Sequence, residues 1–256
     1  MRVKSLRIFF QVLVFGSLLG AASTAYADAV VITSFNFGLQ VTPSAGTVQF
    51  TPTGASARAA ASNSFGENLD ITSNTFPVAQ AGAIVTFASS STMASATNLT
   101  ANVTSVVNVG GCSCTASAFG IATFTTTFVI QGSDGNVDVT ILPMPFASGQ
   151  VATDQFGVFA FAQISWSLSL NGVILFSTDE MLIEVEGPNR TGGFSLSPGL
   201  LSRTLTLQAG VPNTITVNIS GVAAGVNEVP EPATVVLLVS GLGFMTGLLK
   251  KRRNTR

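Results

Sequence analysis

Apolar and polar residues alternate with a period of two along much of this chain, the spacing that sends successive side chains to opposite faces of a β-strand. Leu99, Ala101, Val103, Val107 and Val109 alternate with Thr100, Asn102, Thr104 and Asn108. Phe124, Phe128 and Ile130 alternate with Thr123, Thr125 and Thr127. The clearest segment is 164–170, where Ile164, Trp166, Leu168 and Leu170 share one face and Ser165, Ser167 and Ser169 the other. Asn171-Gly172 follows, the favoured dipeptide of a two-residue type I′ hairpin. That turn predicts Leu170 opposite Val173 and Leu168 opposite Leu175. Met181, Ile183 and Val185 then alternate with Leu182, Glu184 and Glu186. Leu205 and Leu207 alternate with Thr204 and Thr206, and a Gly-Val-Pro-Asn turn leads to Ile215, Val217 and Ile219.

Earlier in the chain the signal is weaker. The apolar run Ala29-Val30-Val31-Ile32 predicts a first strand. Residues 51–82 are rich in Ala, Ser, Thr and Asn with little periodicity, and read as loops with room for a short edge strand. No segment has the pattern of an amphipathic helix, and no repeat of fixed period occurs. Strands at this spacing predict an all-β body, an antiparallel β-sandwich of jelly-roll or Ig-like type.

The two ends break the pattern. Arg2, Lys4 and Arg7 precede an apolar stretch at 8–19, and Ala25-Tyr26-Ala27 forms an A-x-A cleavage site before Asp28. Residues 1–27 therefore read as a signal peptide with its helix. At the other end, Pro230-Glu231-Pro232 is a stiff extended collar, because each proline fixes its φ and restricts the residue before it. Residues 233–249 carry no charge and reach about 25 Å as a helix, the short end of a bilayer span. Lys250, Lys251, Arg252 and Arg253 then form a basic stop that stays on the cytoplasmic side. The expected domains are 1–27, a body at 28–228, and a terminal segment at 229–256 made of a motif (229–234), a transmembrane helix (233–249) and a basic tail (250–256).

This terminal segment resembles the PEP-CTERM sorting signal. The likeness rests on Val229, Pro230, Glu231, Pro232, Ala233 and Thr234, the apolar helix and the basic cluster at the C-terminus, and it covers about a tenth of the chain. The resemblance implies recognition of Pro230, Glu231 and Pro232 by an exosortase, a membrane-embedded transpeptidase-like enzyme of Gram-negative bacteria that make exopolysaccharide. It further implies an inner-membrane anchor with the body outside and the tail inside. Cleavage would then release the body to the cell surface or matrix.

Charge and composition narrow what that body can do. Between residues 28 and 228 there are three arginines, eleven acidic residues and no lysine, a net charge of −8, although the whole chain reads −1. A body this acidic, with no basic stripe, argues against nucleic acid as a partner. The chain has no histidine, and its one tyrosine, Tyr26, falls in the signal peptide. Ser-His, Cys-His and Ser-Lys nucleophilic sites, Schiff-base chemistry and His-based zinc sites are thereby excluded for the body acting alone.

Carboxylate pairs are what remains, with Asp70, Asp154, Glu184 and Glu186 as candidates by type. Glu184 and Glu186 on one strand face read more simply as a solvated edge. Asp134, Asn136 and Asp138 have the odd spacing of a calcium loop, but Val139 and Pro145 stand where its glycine and terminal glutamate belong. A hairpin turn at Asp134-Gly135 explains them better. Cys112 and Cys114 are the only cysteines. They read as a local disulfide stiffening a glycine turn or as two free thiols, with no other soft ligand near them. Asn98, Asn102 and Asn218 begin sequons but read as the polar faces of strands.

No cofactor or metal is expected. The expectation is a non-catalytic surface or matrix protein, adhesive or associated with exopolysaccharide. The alternatives are a secreted acid-only hydrolase, glycosidase-like, and a permanently membrane-anchored surface protein.

Overall fold

A computed structural model describes residues 28–110, 113–154, 157–178, 181–197 and 201–227. Fourteen strands lie among them. The first seven are β1 (Asp28–Pro43), β2 (Thr47–Asn63), β3 (Asn68–Ser73), β4 (Val78–Val85), β5 (Ala88–Ser95), β6 (Thr100–Gly110) and β7 (Cys114–Gln131). The second seven are β8 (Asn136–Thr153), β9 (Gly157–Leu170), β10 (Val173–Ser177), β11 (Met181–Glu186), β12 (Thr191–Leu196), β13 (Arg203–Gln208) and β14 (Asn213–Asn227). They form two antiparallel seven-stranded sheets. Sheet A runs β12-β8-β1-β6-β5-β4, with β13 beside β12 on β8; sheet B runs β10-β9-β14-β7-β2-β3, with β11 beside β10 on β9.

The sheets pack face to face as a β-sandwich, and the period-two pattern decides what lies between them. Leu99, Ala101, Val103, Val107 and Val109 are buried, as are Phe124, Phe128, Ile130, Ile164, Trp166, Leu168 and Leu170. The predicted alternation therefore holds along β6, β7 and β9.

The core is not uniform along its length. One end is filled by large side chains, among them Phe35, Phe37, Phe124, Phe128, Trp166 and Ile215. Trp166 packs at 5.4 Å between ring centroids against Phe37, which in turn lies 6.3 Å from Phe124. The other end is lined by alanines, including Ala57, Ala59 and Ala61 of β2 and Ala79, Ala81 and Ala83 of β4. Side chains that short hold the sheets close together, so the sandwich tapers.

At the waist Gly120 and Gly221 face one another across β7 and β14. A Cβ on Gly120 would lie 2.6 Å from Thr92 Cγ2 and 2.7 Å from Val103 Cγ1, both on the opposite sheet. Into this dimple sheet A sends buried hydroxyls. Ser105 Oγ donates across the gap to Gly221 O (3.3 Å), Thr33 Oγ1 donates to Ser105 O, and the Ser90 and Ser105 hydroxyls pair. Each buried hydroxyl thus has a partner, which removes most of its desolvation penalty.

Several expectations need correction. Residues 51–82 hold the expected short edge strand, β3, but also most of β2 and part of β4 in place of the expected loops. Alanine is a poor strand former, and alanines on both faces of a strand hide its period. The tapered end nevertheless requires them. Asp134-Gly135 does not close a hairpin: it carries the chain from β7 in sheet B to β8 in sheet A. Asn171-Gly172 does close one, with positive φ at both residues and Leu170 opposite Val173. A bulge then places Phe176, not Leu175, opposite Leu168. The extra residue at the edge of sheet B lets Leu175 and Phe176 both pack on the core.

Candidate functional site

The outer face of sheet B carries aligned rows of polar groups. Antiparallel register aligns Ser169, Thr216 and Thr125 in one row across β9, β14 and β7. The next row is Ser167, Asn218, Thr123 and Ser56, extending onto β2, and a third begins Ser165, Ser220. Thr214, Thr127 and Thr51 form another row on the far side of the first. Rows repeat about every 6.8 Å along the strands and columns about every 4.8 Å across them.

Neighbouring groups hold each other's rotamers. Thr123 Oγ1 donates to Asn218 Oδ1 (2.8 Å), and the hydroxyls of Ser165 and Ser220 pair at 2.8 Å. Thr127 pairs with Thr214 at 3.2 Å and Thr125 with Thr216 at 3.4 Å. A hydroxyl offers one donor and two lone pairs, so one such bond leaves capacity for an outside partner. No charged side chain interrupts the rows of Ser169, Ser167 and Thr214; the row of Ser165 and Ser220 runs on through Ile121 to Arg58 of β2. What they can do chemically is exchange hydrogen bonds with a neutral polymer rich in hydroxyls.

Further along β9 the same face changes character. Phe159 and Phe161 point outward with rings nearly parallel, 13° apart in plane and 6.3 Å between centroids. Ala160 and Ala162 take the inward positions, because the tapered core has no room for a ring. Sequence reasoning missed this aromatic pair. The Phe-Ala-Phe-Ala alternation was its signal, but aromatic residues are expected on the buried face. Glu184 and Glu186 stand opposite Phe161 and Phe159 on the edge strand β11.

Trp166, by contrast, is buried in the core and only 4% exposed. At the other edge of sheet B, Arg58 makes a two-pronged bond to Asp70 (3.0 and 2.6 Å) and lies 5.9 Å over the Phe119 ring. The guanidinium's hydrogen bonds hold the Asp70 carboxyl below its usual range.

The candidate acids do not converge as a group. Asp70 on β3 and the glutamates on β11 are five strand spacings apart, about 24 Å. That is far beyond the separation of a glycosidase pair. Asp154 follows the end of β8, where its carbonyl accepts the Asn189 amide. Asp138 is part of β8 and accepts a hydrogen bond from Thr206 (2.7 Å), a strand position rather than a calcium loop. Asn102 and Asn218 sit on outward strand faces, bonded to Asn36 and Thr123.

Cys114 is buried at the head of β7 and is disulfide-bonded. Cys112 lies outside the described residues. So do Ala25 and Ala27, the motif at Val229, Pro230, Glu231, Pro232, Ala233 and Thr234, the apolar run at 233–249, and Lys250, Lys251, Arg252 and Arg253.

A separate carboxylate ties two loops together. Glu67 accepts hydrogen bonds from the Thr86 hydroxyl, the Thr86 amide (2.8 Å) and the Asn63 side chain, which hold its pKa below the ordinary glutamate value. A depressed carboxylate contributes stability that is complete above the unfolded value, about 4.3, and is lost as pH falls through the folded one. The urea midpoint is therefore expected to fall on acidification below about pH 4.5. Glu67→Gln should reduce that fall, and an identical acid slope in wild type and variant would refute the assignment.

No protein-family model matches the sequence, and no curated protein matches it.

Proposed function

We propose that this chain is an exported, non-catalytic surface or matrix protein whose sandwich binds neutral polysaccharide through the outer face of sheet B. The observation that carries this reading is the uncharged lattice of hydroxyl and amide groups beside the stacked Phe159 and Phe161 rings. Sugars offer hydroxyls in abundance together with apolar C–H faces, and this surface supplies a counterpart to each. The acidic body adds a bias against polyanions. Of the two sandwich types expected, the jelly roll is favoured, since the chain passes repeatedly from one sheet to the other between successive strands.

Delivery follows the terminal segments. The N-terminal signal starts export, the 233–249 helix holds the chain in the inner membrane with its body outside, and an exosortase releases the body at the Pro230-Glu231-Pro232 collar. Mass spectrometry of protein from the culture medium should find a C-terminus near Val229. An intact Arg256 would overturn the sorting step and favour a permanent anchor.

Binding is tested separately, by co-sedimentation of the released form with the producer's exopolysaccharide. Thr123→Asp combined with Asn218→Asp places two charges in the lattice and is expected to weaken retention about tenfold or more, about 1.4 kcal/mol. Asn102→Asp, on the outer face of the other sheet, should leave it unchanged. Equal retention of all three would overturn the assigned face. The hydrolase reading retains one supporting observation, the position of Glu184 and Glu186 beside the phenylalanine pair. New reducing ends that disappear with Glu184→Gln would establish it in place of the non-catalytic one.

A further inference from the structure

A strand at the border of a sheet presents unpaired N–H and C=O groups, and folded proteins guard such borders with charge, bulges, shortness or a cover. Most border strands here are guarded in that way. In sheet B, β3 carries Asp70, β11 carries Glu184 and Glu186, and β10 is five residues long and bulged against β9. In sheet A, β13 is short and begins at Arg203, while β12 is short and covered at Gly192 by Ile183 of β11.

The exception is β4. Its eight residues, Val-Ala-Gln-Ala-Gly-Ala-Ile-Val, include no charge and no proline. It pairs with β5 in unbroken register, and among the described residues no strand pairs with its other side. Ile84 projects from it 77% exposed. Leu69 and Ile71 of the adjoining border strand β3 and the nearby Phe76 are also exposed. This side of the sandwich thus combines free backbone groups with apolar side chains.

We propose that β4 is a self-association edge, where a second copy of this chain adds its own β4 antiparallel across a two-fold axis. An antiparallel pair is self-complementary, so one uncharged strand serves both partners. Side-chain parity restricts the register, because residues opposite one another must share a face. Ala79, Ala81 and Ala83 are buried on the inner face, while Gln80, Gly82 and Ile84 face outward. Only Gly82 opposite Gly82 of the second copy, Ala81 opposite Ala81, or a slip of equal parity keeps both cores intact. With Gly82 on the axis, Ile84 lies opposite Gln80; with Ala81 on the axis, it lies opposite Val78. Either covers the exposed isoleucine. A lone extended peptide would satisfy the backbone, but it would leave Leu69, Ile71 and Phe76 exposed. A second sandwich brings an equivalent border against them.

The test uses the purified full-length chain and two readouts. After mild oxidation, Gly82→Cys (with Gly82 on the axis) or Gly82→Cys combined with Gln80→Cys (with Ala81 on the axis, where these two residues lie opposite) is expected to form a covalent dimer, since opposed Cα atoms in an antiparallel pair stand about 5 Å apart. Ser91→Cys, one strand further in, should not. In sedimentation, wild type should show a dimer dissociated at least tenfold more readily by Ile84→Lys or by Gln80→Lys, with the far-ultraviolet spectrum unchanged. Having two variants guards against one failing to fold. A protomer at all concentrations would overturn the proposal. So would a dimer insensitive to both lysines, or one broken instead by Ile174→Lys on β10.

Discussion

Replacing Trp166 by alanine is expected to destabilise the body by about 3–5 kcal/mol, the usual range for removing a buried large aromatic side chain. The indole is enclosed at the wide end of the sandwich, against Phe37 and opposite Ile219 of β14. Its loss leaves a cavity that two rigid sheets cannot collapse to fill. Trp166→Phe should cost far less, about 1 kcal/mol. It keeps a ring against Phe37 and removes an Nε1 donor that reaches no protein acceptor among the described residues. Because Trp166 is the only tryptophan, urea unfolding of the variants must be followed by far-ultraviolet circular dichroism. Equal costs for the two substitutions would contradict this account of the core.

Overfilling the narrow part should do comparable damage. Gly120→Val places carbon atoms where Thr92 and Val103 already stand, within 2.6–2.7 Å of the new Cβ alone. Both neighbours are themselves held between the sheets, so relief requires the sheets to separate. That separation also breaks the Ser105 to Gly221 hydrogen bond. A loss of about 3 kcal/mol is expected for valine and about 1–3 kcal/mol for Gly120→Ala. Gly82→Ala points to the outer side of β4, where its new Cβ would make only an ordinary contact, 3.9 Å from Ser90 O. It should stay within about 0.5 kcal/mol of wild type. A Gly120→Val protein as stable as wild type would mean that the sheets do not approach as closely as described.

Together these two substitutions probe why the core is graded. Large residues at one end and alanine and glycine at the other set two different sheet separations within one sandwich. The same gradient moves Phe159 and Phe161 to the outside of β9, while Trp166, seven residues beyond Phe159 on the same strand, points inward. The proposed glycan surface therefore depends on the packing: where the interior is thin, aromatic bulk is displaced to the outer face and becomes available for contact.

Much of the fold is legible in particular residues. Ile164 to Leu170 alternate without exception, and Asn171-Gly172 can hardly be anything but a tight turn, because both positions need positive φ. The long strand β2 was not legible. Ala57, Ala59 and Ala61 are buried, but Ala60 lies between two of them, so hydropathy shows no contrast. The Asp134-Gly135 turn was legible as a turn and misread as a hairpin. A turn's sequence specifies a local reversal, whereas which strands then pair depends on residues far away in the chain. The bulge that sets Phe176 against Leu168 has the same origin.

Read alone, the amino-acid order settled that the body is built of antiparallel strands and which side chains share a face, since both follow from a two-residue repeat and local backbone sterics. Which face turns inward at the narrow end, which rows of hydroxyls align across four strands, and which border strand stays open were decided only in three dimensions. Those outcomes depend on register and sheet separation. Both are set by contacts between residues tens of positions apart, and no local pattern encodes them.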